Sequence, residues 1–569
     1  MCIAWRLLLI FITLSIVLLL FGCNKKANQV LLQKIADNEV EYDENVVPIN
    51  WDNLDLNVLD SDIAKGLVQA INNSNRYAVN TWWTQVKKFD KQDDQEYISI
   101  GGKSEATIRS ISEMARLLAV SIKLNIYDES HTEVPLEEAR AMMLKLVKSL
   151  AKAHLANTEG GWGDHWQSAF WAADVAFSGW LFWENFGMED QEMIRKVVVH
   201  EANRFISYEV PYYMDKEGKI VFKGDTKAEE NAWNANITTL ACAMMPNHEN
   251  HNLWMYKNLE LIISSYALPE DVTSNKLVNK FRLKEILDGS NINSDGTVVN
   301  HNIVHPDYQT SVLTQNMTKA AYFAFGGMEV PEALIFNADI IYSALITLDI
   351  GKFNADKKGS YIYERNPDGS ASPEINYPTG TDWGVDRQLN FFTSDVFAHV
   401  FNLDRDCPVK AIDYAHARMQ VILSMQGRSD TGQYYQAGDS DSYALREEWV
   451  AFHLINTYLV LWAENNGLVN ISKDTFLKPA PLRSALPVLP EKIYVGNEFP
   501  ISFEVNKDLV VLPKDLKVKY YSSDESIVVI KNGVFKAVEV GQCKITVVVE
   551  YGKLRTSGTV SVTINDYNY

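Results

Sequence analysis

Residues 136–157 read LEEARAMMLKLVKSLAKAHLAN. Met143, Leu146, Leu150 and Leu155 recur near the helical period, which predicts one amphipathic helix over Leu136–Asn157. Helix-like stretches recur along the chain: Glu105–Asp128, Trp166–Phe186, Asp190–Ser207, Asn231–Met245, Pro306–Phe325, Pro331–Leu348, Asp386–Phe401, Lys410–Met425 and Leu445–Glu464. Short loops between long helices predict antiparallel helical neighbours. The stretches do not alternate with strands, and no 34-residue motif repeats as it would in a tetratricopeptide array. The expectation for residues 51–480 is a mainly α body, an (α/α) toroid or incomplete barrel of helical hairpins with loops gathered over a central cleft.

The pattern changes after residue 480. Pro479, Pro481, Pro487 and Pro490 read as a stiff linker. Short β-branched runs follow at Lys492–Val495, Ile501–Val505, Val518–Tyr521, Ile527–Ile530, Val534–Ala537, Cys543–Glu550 and Thr559–Ile564. Their turn-separated spacing predicts a small all-β sandwich over residues 481–569.

The chain has 569 residues, 47% of them hydrophobic and 22% charged, which excludes a disordered or fibrous protein. A net charge of −20 disfavours nucleic acid as a partner. The 14 Trp, 26 Tyr and 23 Phe could wall a sugar site or fill a large core. The five cysteines are far apart and match no metal knuckle or disulfide framework. Residues 1–22, MCIAWRLLLIFITLSIVLLLFG, read as a secretory signal. Leu20-Phe-Gly-Cys23 at its end resembles a bacterial lipobox, which implies lipidation at Cys23 and an extracytoplasmic lipoprotein, expected at the outer membrane. The alternative is an uncleaved membrane anchor. Residues 23–50 read as a polar spacer.

Four clusters carry candidate chemistry. In Ser294–Tyr308, SDGTVVNHNIVHPDY, Pro306 fits a first helical turn and makes a helix through His301 and His305 unfavourable. His301 is then expected on an extended segment, His305 near an N-cap and Tyr308 in the first turn, where the helix dipole favours a tyrosinate. A converging His and Tyr suit proton transfer. Two histidines four apart also suggest a metal, but the proline breaks the helical face they would need, so no metal or cofactor is expected. In Gly224–Asn236, Asn231 and Asn234 share a helical face beside Trp233, and neutral amides can bind a carboxylate. They can equally cap and pack a helix start, and Glu229 and Glu230 are expected to be exposed or capping. In Tyr377–Arg387, Arg387 can grip a carboxylate or pair with Asp382 or Asp386, and Trp383 can stack on a sugar or fill the core. In Gly160–Gln167, Trp162, His165, Trp166 and Gln167 are candidate substrate-binding walls.

The helical body, the β module and Asp295-Gly-Thr-Val-Val-Asn-His301 ahead of a Tyr together resemble polysaccharide lyases with (α/α) toroids, of the hyaluronate and chondroitin AC type or the alginate and glucuronan type. The resemblance implies β-elimination on an anionic, uronate-containing polysaccharide. It implies Asn234 or Asn231 as carboxylate neutraliser, His301 as base or neutraliser, Tyr308 as base and acid, and Arg387 in support. His305, His165, Trp162, Trp166, Trp233, Trp383 and Gln167 would contact substrate. The stretch Ser522–Ala537 followed by Gly541 resembles bacterial immunoglobulin-like repeats, which implies a spacer role for the tail. Two other readings stand beside this one. One is a glycoside hydrolase whose carboxylates come from Asp164, Asp174, Asp382, Asp386 or Glu230. The other is a non-catalytic surface glycan-binding lipoprotein.

Overall fold

The structure, a computed structural model, describes residues 45–52, 54–441, 446–474, 485–505, 517–551 and 554–566. The signal, Cys23, Pro479 and Pro481 lie outside the described residues. Two compact units are present, one within Glu44–Phe476 and one within Leu477–Tyr569. No helix among the described residues is long and apolar enough to cross a membrane.

The first unit is built from α1 (Asp62–Arg76), α2 (Glu105–Lys123), α3 (Leu136–Ala153), α4 (Ser168–Leu181), α5 (Met188–Arg204), α6 (Ala228–Met244), α7 (His251–Ser265), α8 (Pro306–Met317), α9 (Lys319–Phe325), α10 (Ala338–Thr347), α11 (Leu389–Val400), α12 (Ala411–Gln426) and α13 (Glu447–Asn465). Two kinds of helix follow from two kinds of sequence. α4, SAFWAADVAFSGWL, is buried along its whole length, and α13 nearly so, as all-round apolar helices must be. α3 carries Glu137 and Glu138 in its first turn and buries one face through Met143, Leu146 and Leu150.

The buried helices form an inner ring. α2 packs on α4, α4 on α6, α6 on α8, α8 on α11, α11 on α13, and α13 returns to α2. The ring is therefore closed and not an incomplete barrel. Outside it, α3 covers α2 and α4, α5 covers α4 and α6, α7 lies on α6, α12 on α11, and α1 on α12 and α13. Inner helices run in the same direction, because their starts meet each other. Glu105 of α2 lies 3.7 Å from Arg446 at the start of α13, and Phe170 of α4 packs edge-on to Phe452 of α13 at 5.1 Å. Midway along, Arg116 of α2 reaches Asp174 of α4 at 3.2 Å and Asn456 of α13 at 2.9 Å. Arg116 and Asp174 are both buried, so Asp174, one of the hydrolase candidates, belongs to the core of the ring.

The start of the body reaches further than expected. Val46 and Ile49 are buried, Val47 N donates to Met244 O at 2.8 Å and Trp180 Nε1 to Val47 O at 2.8 Å, so this strip packs on the ring and is no spacer.

The second unit is the expected small sandwich of antiparallel sheets. Its strands are β1 (Ala485–Val488), β2 (Ile493–Tyr494), β3 (Glu498–Pro500), β4 (Ser502–Val505), β5 (Lys517–Ser522), β6 (Val528–Lys531), β7 (Val534–Ala537), β8 (Gly541–Tyr551) and β9 (Leu554–Asn565). One sheet has the order β2-β9-β8-β5, a second β3-β7-β6, and β1 pairs with β4. All pairs are antiparallel except β2 with β9. Ile493, Val528, Phe535, Ile545 and Val562 form its core. Pro487 is not linker: it lies in β1 opposite Phe503.

Candidate active site

The four sequence clusters lead into the starts of inner helices α4, α6, α8 and α11, and parallel inner helices bring those starts to one mouth of the ring. Contacts link them in turn. Trp166 before α4 meets Trp233 of α6 edge-on at 5.1 Å, Asn300 Nδ2 before α8 donates to Glu229 of α6 at 3.4 Å, and His301 meets Asp382 before α11.

Residues 299–304 form a two-stranded hairpin in which Val299 pairs with Val304 and Asn300 with Ile303. His301 and Asn302 make its turn with φ of 50° and 65°, the left-handed pair that a tight hairpin needs and that non-glycine residues seldom adopt. His301 is thus lifted on a turn tip and not laid on an extended segment. The turn is held by Asn302 N donating to Gly224 O at 3.0 Å. Gly224 has to be glycine here, since its φ is +71° and a Cβ would fall 2.2 Å from Asn302 Oδ1. After the hairpin, His305 is the extended N-cap residue and Pro306 opens α8, as expected.

The hairpin tip, the N-cap and the Asp382 loop converge. Asp382 Oδ2 lies 2.7 Å from His301 Nδ1, and Asp382 Oδ1 lies 3.2 Å from His305 Nε2. Tyr308 OH lies 3.3 Å from His301 Nε2. Trp383 packs against Tyr308 at 4.7 Å and against His305 at 4.8 Å between ring centres. Burial raises the Asp382 pKa, but the His301 hydrogen bond and the two imidazoles outweigh it and hold the carboxyl below its usual range. Burial lowers His305 to about 4, against the pull of Asp382. His305 is therefore neutral at pH 7. Its Nδ1 faces Asp307 Oδ2 at 3.7 Å, and burial raises Asp307 to about 7 despite the charge of Arg387.

Arg387 pairs with neither Asp382 nor Asp386. It is buried, with Nη2 3.3 Å from Asp441 Oδ1, and its guanidinium lies over Trp383 at 4.1 Å and Trp449 at 4.8 Å. Asp386 instead accepts from Ser440 N at 2.8 Å. Gly384, with a φ of +99° and a Cβ position 1.6 Å from Ser440 O, lets the two loops touch.

The remaining expected residues divide into two groups. Asn234 is 2% exposed and its Oδ1 has no hydrogen-bond partner. Trp166 is 51% exposed on the rim, and His165 stacks on Trp171 at 5.0 Å. Gln167 is buried with an unpartnered Oε1, as is the Trp233 Nε1 atom. Asn231, however, is committed to scaffolding: its Nδ2 donates to Pro211 O at 3.0 Å and to Ser264 Oγ at 3.1 Å. Trp162 is in the core with Nε1 on Leu150 O at 2.9 Å, out of reach of a ligand. Two acids carry more than expected. Asp382 joins both histidines, and Glu229 is buried, not exposed, with burial raising its pKa well above the usual range. Glu230 accepts from Tyr208 OH at 3.1 Å, and Asp164 lies 2.8 Å from His200 Nε2.

No protein-family model matches the chain, and no curated protein matches it. The closed ring of helical hairpins with a His–His–Asp–Tyr cluster at its mouth is consistent with the toroid-fold class of carbohydrate-active enzymes. His301, His305 and Asp382 also offer ligand atoms that all lie within 4.8 Å of one another. The hairpin turn and the N-cap, not a helical face, bring the two imidazoles together, so the interruption at Pro306 is no obstacle to a shared ion.

Proposed function

We propose that the chain is a polysaccharide lyase that cleaves a uronate-containing polysaccharide by β-elimination. The observation that carries this reading is the line Asp382–His301–Tyr308, with separations of 2.7 Å and 3.3 Å. An ionised Asp382 only accepts, so His301 presents Nδ1–H to it and turns the Nε2 lone pair towards the Tyr308 hydroxyl. His301 takes the phenolic proton. The Tyr308 oxygen removes the proton at C5 of the uronate, the C4–O bond breaks as the C4–C5 double bond forms, and Tyr308 returns a proton to the departing oxygen. The Asn234 amide, aided by the helix starts around the mouth, neutralises the carboxylate and steadies the enolate-like state. Arg387, braced by Asp441, holds Trp383 against Tyr308. The lipobox-like Leu20–Cys23 supports display outside the cytoplasm on a lipid anchor, and the immunoglobulin-like unit then acts as a spacer.

The test is a panel of alginate, glucuronan, hyaluronan, chondroitin and heparan sulfate read by ultraviolet absorbance. Absorbance growing with chain cleavage is expected on at least one polymer. Release of reducing ends without absorbance would establish hydrolysis. A specific observation favours that second reading: Glu229, with a raised pKa, and Asp382, with a lowered one, flank the same hairpin as a general acid and an ionised partner would.

A further inference from the structure

We infer that His301 Nδ1, His305 Nε2 and Asp382 form a binding site for one divalent transition-metal ion of the zinc class. The three donors come from a hairpin tip, an N-cap and a separate loop, and their ligand atoms lie within 4.8 Å of one another. Donor atoms around a tetrahedral zinc stand ~3.4 Å apart, so the widest separation closes by up to ~1.4 Å while the 2.7 Å and 3.2 Å contacts of Asp382 with His301 and His305 open slightly. His301 rides on an exposed two-residue turn and Asp382 on an exposed loop, so the smaller shifts fall where the chain has room.

Two nitrogens and one carboxylate favour zinc-class ions over magnesium or calcium, which take oxygen donors. The outer contacts point the same way. A metal-bound imidazole usually gives its other N–H to an acceptor. His305 Nδ1 is buried without a hydrogen-bond partner and faces the Asp307 carboxyl at 3.7 Å. The other nitrogen of His301, Nε2, lies 3.3 Å from Tyr308 OH. A cation on His301 Nδ1 stands where the Nδ1 proton otherwise sits, and it leaves Nε2–H donating to the Tyr308 oxygen. It favours the phenolate by charge, and three protein donors leave a tetrahedral ion at least one open position for a further ligand. On the lyase reading, which this role of the ion rests on, that position takes the uronate carboxylate. Binding of the ion itself does not depend on that reading.

The experiment is calorimetric titration of chelator-treated full-length protein with Zn2+, alongside the visible spectrum of the Co2+ form, both without polysaccharide. One ion per chain is expected, with the intense d–d bands of a low-coordinate site. Asp382→Asn, at an exposed position, should weaken binding more than about a hundredfold, beyond the 10–100-fold usual for an outer contact. His305→Gln should do the same, and His200→Ala, which alters the other His–Asp pair at Asp164, should leave binding unchanged. Absence of stoichiometric binding, or equal binding by wild type and Asp382→Asn, would overturn the site. Binding without elimination on any uronate polymer would remove the lyase role and keep the site. Elimination that persists at full rate in metal-free protein with no binding would do the reverse.

Discussion

Replacing Tyr308 with Phe removes one oxygen and keeps a ring of the same shape. That ring is packed against His301 at 5.3 Å, His305 at 4.8 Å and Trp383 at 4.7 Å between centres, and all three contacts survive the change. The hydrogen bond to His301 Nε2 at 3.3 Å is lost, which costs about 0.5–1.5 kcal/mol of stability at a half-buried site. The kinetic loss is of another size. A positioned proton carrier supplies ~10²–10⁴-fold, equal to ~2.7–5.4 kcal/mol of barrier. Turnover on the best polymer of the panel should therefore fall at least about a hundredfold while KM changes little, since the aromatic walls remain. The assay is initial rate by ultraviolet absorbance, with thermal unfolding measured in parallel. His301→Ala should be as severe, and the double variant should lose little more than either single one if the two groups act as a unit. A folded Tyr308→Phe protein with near-full turnover would refute the mechanism.

Other consequences can be measured separately. Gly384→Ala places a Cβ against Ser440 O and should shift the loop that carries Asp382 and Trp383, costing more than ~1 kcal/mol and lowering turnover, read by unfolding and initial rates. Glu201 is buried, which raises its pKa, but His154 at 3.3 Å and Arg204 outweigh burial and hold it at about 2. Since its folded value lies below the unfolded one, its stabilisation is complete above pH ~4.5 and is lost as pH falls towards 2, so Glu201→Gln should flatten the acid limb of urea midpoints measured at pH 7, 5 and 3. A chain ending at residue 476 keeps a unit with its own core and should retain both fold and turnover, checked by circular dichroism and the same absorbance assay.

The helices were legible because their apolar spacing is local: α3 and α4 declare an amphipathic and an all-buried helix without reference to anything distant. The start of α8 was legible too, since Pro306 can occupy only a first turn or a break, whereas α4, α6 and α11 begin two or three residues from where the pattern puts them. The conformation of His301 was not. A left-handed hairpin turn is ordinarily signalled by Asn-Gly, and here it is written His301-Asn302, with the glycine requirement displaced to Gly224, which contacts Asn302 from 78 residues away in sequence. Asp382 was visible as one acid among several. Its partnership with both imidazoles depends on ring closure, which brings α8 beside α11 and has no local signature. Glu229 was misjudged for a related reason: a charged residue at a helix start is usually solvated, and this one is buried where Asn300 of the distant hairpin reaches it.

On the proposed function an acidic chain would act on an acidic polymer, and the helix starts at the mouth bear on that electrostatic objection. Net charge counts every carboxyl as ionised, but several acids at the helix starts are not fully so at pH 7. Burial raises Asp307 of α8 to about 7, Glu447 of α13 to about 8 and Glu229 of α6 well above its ordinary value. Each sits in a first turn, where an ionised side chain would otherwise cancel the positive end of its helix. To the extent that these acids are protonated they do not oppose that end, although Glu230 and Glu448 share the first turns of α6 and α13, and the parallel inner ring aims the helix starts, about half a positive charge each, at the same opening. Arg387 adds a cation behind Trp383, already balanced by Asp441, so it contributes more to rigidity than to field. An anionic chain entering the mouth would then meet helix-start dipoles, two imidazoles and buried acids with raised pKa values beside the ionised Asp382, while salt screens exposed carboxylates over ~8 Å.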